Sequence, residues 1–138
     1  MRNFLLKIVT LFFFLTTAVN SEVIKKFDIS GNKRIADETI ITFSNINLNE
    51  EITKSKLDNA IKKLYKTNFF RNIIFNFENQ ILYLRVEENP IIENLQIDGI
   101  KKQSLVEFIK NKMNLAEMRS FNQELLSADL DLINNILK

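Results

Sequence analysis

The sequence predicts an α+β protein: a strand-helix-helix-strand-strand module, with a three-stranded sheet carrying two helices on one face, followed by an incomplete second copy. Three observations carry this. Phe27-Asp28-Ile29-Ser30-Gly31 returns as Leu95-Gln96-Ile97-Asp98-Gly99, 68 residues on, and those glycines are the chain's only two. Leu57, Ala60, Ile61, Leu64 and Tyr65 recur at the helical period. Apolar residues at 73, 75 and 77, then at 82, 84 and 86, alternate across a polar turn as a hairpin does. A long internal period of this kind points to tandem small modules of one fold.

Composition narrows the chemistry. The 138 residues contain neither Cys nor His, which removes thiol nucleophiles, Cys or His metal sites and Ser-His triads. No enzyme, cofactor or metal is expected. A formal net charge of +2 is too small to imply nucleic acid.

At the N-terminus, Arg2 and Lys7 precede an apolar core over residues 8–15 and then the small residues Thr16, Thr17 and Ala18. This is the layout of a secretory signal, assigned to residues 1–21, with cleavage after Ser21 or after Ala18. The alternative is an uncleaved anchor; in both cases the remainder leaves the cytoplasm. A first module then occupies residues 22–89.

Its first strand is read over 23–30, with Phe27 and Ile29 on one face and Lys26 and Asp28 on the other. Gly31 and Asn32 form the turn. The glycine supplies positive φ. Asp37 and Glu38 open a helix of about three turns, where carboxylates suit the positive end of the dipole. After a loop at 45–50, Thr53 caps the second helix, whose lysines read as a solvated side, and Asn68 stops it. The hairpin follows, turning at Glu78-Asn79-Gln80. Ile74, Ile81 and Tyr83 fall on its other face. Glu50-Glu51 and Glu87-Glu88 read as solvated carboxylates, because adjacent strand residues point to opposite faces and cannot converge on one substrate.

Asn89 and Pro90 make a stiff joint, since proline disfavours helix before it. The second module, 90–138, restarts with a strand over 92–97, a turn at Gly99 in surroundings like those of Gly31, and a helix capped by Ser104 with Glu107. Leu105, Phe108, Ile109 and Met113 form that helix's stripe. A last helix carries Phe121, Leu125, Ala128, Leu132, Ile133 and Ile136. At the 68-residue offset Leu57, Ala60 and Leu64 match Leu125, Ala128 and Leu132. The hairpin has no counterpart here. Residues 23–89 are therefore expected to fold, although near the lower size limit for folding alone, and the truncated copy, less stable still, is expected to be loosely ordered or packed on a partner over residues 91–138.

Phe27-x-Ile29-x-Gly31-Asn32-x-Arg34-Ile35, the helix end Leu64-Tyr65-Lys66-Thr67-Asn68-Phe69-Phe70, and Val86-Glu87-Glu88-Asn89-Pro90-Ile91-Ile92 with Ile97-x-Gly99 resemble the first POTRA domain of BamA-type outer-membrane protein assembly factors and the start of the second. Gly99-Ile100 departs from the usual Gly-Asn, and no Gly follows Asn68. The resemblance implies a periplasmic scaffold that is part of an outer-membrane protein. It docks unfolded β-barrel precursors, a periplasmic chaperone and accessory lipoproteins, with membrane association through a C-terminal barrel absent from this sequence, so the chain resembles a fragment. The implied means is β-augmentation at an edge strand, and Asn72, Ile73, Ile74, Phe75, Asn76 and Phe77 are the candidate client-binding edge. The rival reading is a POTRA-containing division or secretion-partner protein with an uncleaved anchor.

Overall fold

The computed structural model describes residues 23–138; the signal reading of 1–21 lies outside the described residues. The elements run β1 (Lys26–Ser30), α1 (Asp37–Ser44), α2 (Lys54–Lys66), β2 (Phe70–Glu78), β3 (Ile81–Glu88), α3 (Gln103–Lys112) and α4 (Gln123–Ile136). The three strands make one sheet of order β1-β3-β2, with β1 parallel and β2 antiparallel to β3.

The hairpin follows from local chemistry. Asn79 and Gln80 sit at φ of 52° and 64°. A two-residue turn needs positive φ at both positions to match the twist of its strands, and asparagine tolerates that region better than most residues. Asn45, Asn49 and Asn68 also take positive φ, so in a chain with two glycines asparagine does much of this conformational work. Asn45 closes α1, its N–H reaching the carbonyls of Ile41 and Thr42. That helix has 8 residues, about two turns rather than three.

Thr53 caps α2, its hydroxyl accepting from the Lys56 N–H. The helix presents Ala60 and Leu64 to the sheet. One cluster joins Ile40, Leu64, Phe70, Ile73, Leu84 and Val86; a second joins Ile24, Ile46, Ala60 and Leu82. Each fully buried Leu or Ile contributes about 1.5–3 kcal/mol of transfer free energy. Alternation along β3 sends Leu82, Leu84 and Val86 inward and leaves Arg85 and Glu87 on the other side. Ile24, out of step with the strand alternation, lies before β1 and is fully buried in the second cluster.

The second repeat departs from expectation at its start. Residues 92–97 form no strand; an isolated bridge pairs Ile91 with Ser120, and the Ile92 N–H donates to the Arg119 carbonyl while Met118 N–H donates to that of Ile92. The reason is the lack of a partner. A strand's main-chain groups need a neighbour, and with no hairpin among the described residues of the second repeat the segment ties itself to the α3–α4 loop instead. Ser104 is not the cap of α3, which begins at Gln103 with Lys102 in the capping position and no side-chain bond. The stripe is also rotated. Val106 and Ile109 are buried, together with Leu115 of the following loop, whereas Phe108 is exposed. In α4 the buried residue is Asp129, and Ala128 faces out.

Candidate docking edge

Among the described residues β2 pairs with a strand on one side only. At nine residues it is longer than the other edge, β1, which has five. The candidate residues Asn72, Ile73, Ile74, Phe75, Asn76 and Phe77 all lie on it. Their side chains divide by parity: Ile73 is buried and Phe75 and Phe77 half-buried against the helices, while Asn72, Ile74 and Asn76 are exposed, Ile74 by 49%. Main-chain direction divides the same way. Glu78 faces Ile81 across the two-residue turn, which makes that pair hydrogen-bonded, so in the alternating antiparallel pattern 76 and 74 also bond to β3. The N–H and C=O groups of Ile73, Phe75 and Phe77 then point to the open side. Their side chains hold the core while their backbones are available for pairing.

The edge is blunted at one end. Register slips between Phe70 and Asn72, leaving Arg71 as the extra residue, and its guanidinium pairs with Glu87. Bulges of this kind are a usual guard on exposed edges. The pair is half-exposed on both sides and contributes little to stability.

Gly31 shows why the repeat's corner is conformationally fixed. Its φ is 89°, and a Cβ there would lie 2.1 Å from the carbonyl oxygen of Val86 in β3. Asn32 steadies the turn by donating from Nδ2 to the Ile35 carbonyl (2.8 Å) and to Asp37 Oδ1 (2.7 Å). Gly99 has a matching φ of 86°, yet apart from its own chain neighbours no described residue comes within 4 Å of its Cβ position. The expectation of like surroundings fails for that environment, because in the first repeat it is β3 that crowds the corner.

Glu88 corrects the reading of the Glu87-Glu88 pair. Glu87 is solvated, but the Glu88 side chain is only 11% exposed. Its Oε1 accepts from the N–H groups of Lys33, Arg34 and Ile35 at 2.8, 2.9 and 2.9 Å, and Oε2 lies 3.6 Å from Arg34 Nε. Burial pushes its pKa up. The donors of Ile35, Lys33 and Arg34 and the Arg34 charge outweigh that, holding it below the ordinary 4.5. Three successive N–H groups form a concave anion site here, filled by the protein's own carboxylate.

The joint is built from the same residues. Asn89 is buried; its N–H donates to the Phe69 carbonyl (2.7 Å) and its Nδ2 to that of Asn68 (2.9 Å). Pro90 accepts from the Phe121 N–H at 2.7 Å. Arg34 lies over the Phe69 ring and donates to Ser120 Oγ at 3.1 Å, and Asn122 Nδ2 donates to Asn68 Oδ1 at 2.9 Å. Arg34 and Asn68 of the first repeat, together with Pro90 at the joint, thus hold the α3–α4 loop of the second. Reading the sequence missed Glu88, Ser120 and Asn122, because their partners lie 53 or more residues away. Asp129 was detectable as a charge inside an apolar stripe.

No protein-family model matches the chain. It is 26% identical over 123 residues to the outer membrane protein assembly factor BamA of Buchnera aphidicola subsp. Acyrthosiphon pisum (strain APS), covering 88% of this chain and 20% of that protein. It is 25% identical over 88 residues to BamA of Neorickettsia risticii (strain Illinois), covering 64% of this chain and 12% of that one. The chain is similar to BamA-type assembly factors. Its fold is that of POTRA domains. The N-terminal domain of Omp85 from Thermosynechococcus elongatus superposes with a TM-score of 0.55 at 18% identity, covering 83% of this chain and 50% of that one. POTRA1-2 of the periplasmic domain of Omp85 from Anabaena gives 0.54 at 15% identity, covering 82% and 76%. The fold that holds β2 and the Gly31 corner is therefore one shared with other chains. The chain spans one fifth or less of the length of the curated relatives it matches.

Proposed function

We propose that this chain is a periplasmic POTRA scaffold of outer-membrane protein assembly, exported by its N-terminal segment and docking unfolded β-barrel precursors by strand addition to β2. The first module comprises residues 22–89 and the second, hairpin-less one 90–138. The observation that carries the reading is the long edge of β2, whose outward main-chain groups at Ile73, Phe75 and Phe77 would accept an extended segment of any sequence. A periplasmic chaperone and accessory lipoproteins are the further partners that a BamA-type relationship suggests.

Residue-resolved amide exchange tests it. On adding an unfolded outer-membrane barrel precursor diluted from urea, the amides of Ile73, Phe75 and Phe77 gain protection while those of α2 do not change. Protection gained only on helices, or nowhere, removes strand addition.

A further inference from the structure

Among the described residues two side-chain hydrogen bonds cross from one repeat to the other, Arg34 to Ser120 and Asn122 to Asn68. No apolar core is shared. Both hydrophobic clusters are built from residues 24–86, and clefts of about 500 and 320 Å³ border the contact between the repeats. A short segment such as Asn89-Pro90, with open space beside it, can absorb a rotation of one repeat against the other. We propose that Glu88 and Arg34 form a latch on this hinge: the carboxylate positions the arginine, and the arginine holds the second repeat at one angle. The latch is independent of β2 as a docking edge.

Arg34 is held along its whole length. Glu88 Oε1 accepts from the Arg34 N–H at 2.9 Å and from those of Lys33 and Ile35, which fixes where the side chain starts. Glu88 Oε2, 3.6 Å from Nε, and the Phe69 ring, its centroid 5.7 Å from Cζ, then fix the guanidinium. Its Nη2 reaches Ser120 Oγ at 3.1 Å. Ser120 is buried and bridged to Ile91, the residue after Pro90. Arg34 therefore spans the hinge, from Glu88 just before Asn89-Pro90 to the partner of the residue just after it. The second tie, Asn122 to Asn68, joins two neutral amides, and bonds with a charged donor are about twice as strong. Arg34 is thus the tie whose loss frees the joint most.

Electron–electron spin distances in the full chain test the latch. The chain has no Cys, so Asn76→Cys and Asn134→Cys, exposed on β2 and α4, place one label in each repeat. Asn76→Cys with Lys62→Cys, exposed on α2, is a reference pair inside the first repeat. The expected result is one narrow inter-repeat distance whose width grows about twofold in Arg34→Ala. Glu88→Gln keeps Arg34 and an oxygen for the three N–H groups, yet should broaden the distance as well, and the double variant should add nothing further. The reference pair should stay narrow throughout. An inter-repeat distance already broad before substitution, or unchanged in Arg34→Ala, overturns the latch. Broadening in Arg34→Ala alone overturns the positioning role of Glu88. Broadening of both pairs together also overturns the latch, since the corner then holds the first repeat itself together.

Discussion

Ala60 and Ala128 occupy the same place in the 68-residue repeat, and the two helices around them carry the same spacing of apolar residues. Ala60 is 1% exposed and Ala128 lies in the open. The helix pattern is common to both; the sheet is not. In the first repeat α2 lies on β2 and β3, whereas in the second there is no described strand for α4 to cover. An amphipathic stripe specifies a helix that has something to bury, and a second element decides what is buried.

The sharpest way to break this comparison is at the two glycines. Gly31→Ala places a Cβ against the Val86 carbonyl and also meets the positive-φ penalty, so we expect a loss of about 3–5 kcal/mol, enough to unfold the first repeat. Gly99→Ala meets the φ penalty alone, about 1–2 kcal/mol. Equal shifts in chemical denaturation midpoints for the two variants would mean that β3 does not crowd the first corner.

Core truncation gives the next largest contrast. Leu64 is fully buried, so Leu64→Ala should cost about 2–5 kcal/mol. Its repeat partner Leu132 is half-buried, and Leu132→Ala should cost about 1 kcal/mol. Urea unfolding curves measure both, and a larger loss for Leu132 would place the stronger core in the second repeat.

The second repeat has its own polar anchor. Asp129, fully buried, accepts from the N–H groups of Asn114 and Leu115 and from the Asn114 side chain, all within 2.8–3.1 Å. Asp129→Ala leaves those donors without their acceptor, at about 1–3 kcal/mol. Amide protection should fall across α3 and α4 while β2 and β3 keep theirs. Loss in both halves together would show that they unfold as one unit.

The smallest expected effect sharpens the comparison at the joint and depends on pH. Because the folded-state pKa of Glu88 is lowered, its contribution is complete above the ordinary value of 4.5 and is lost as pH falls through the lowered folded value. Glu88→Gln should cost about 1 kcal/mol at pH 7 and flatten the acid side of the stability profile, whereas Glu87→Gln, at a half-exposed position, should cost little at pH 7. Thermal unfolding from pH 3 to 7 checks both variants.

How far the chain could be read from its residues follows the range of the forces involved. The helix at 54–66, the Thr53 cap, the hairpin about Asn79 and the positive φ of Gly31 and Gly99 depend on neighbours a few positions away, and the order of residues alone determined them. β2 as an edge was legible only through likeness to a known module, since periodicity does not state which strand lies outermost. Tertiary structure alone decided the rest: that Glu88 fills the backbone site at residues 33–35, that Arg34 and Asn68 hold the second repeat, and that residues 92–97 forgo a strand. Each of these depends on whether a partner dozens of residues away is present or missing. Hydrogen bonds and burial are set by what the folded chain brings within a few ångströms, and a local pattern carries no record of that.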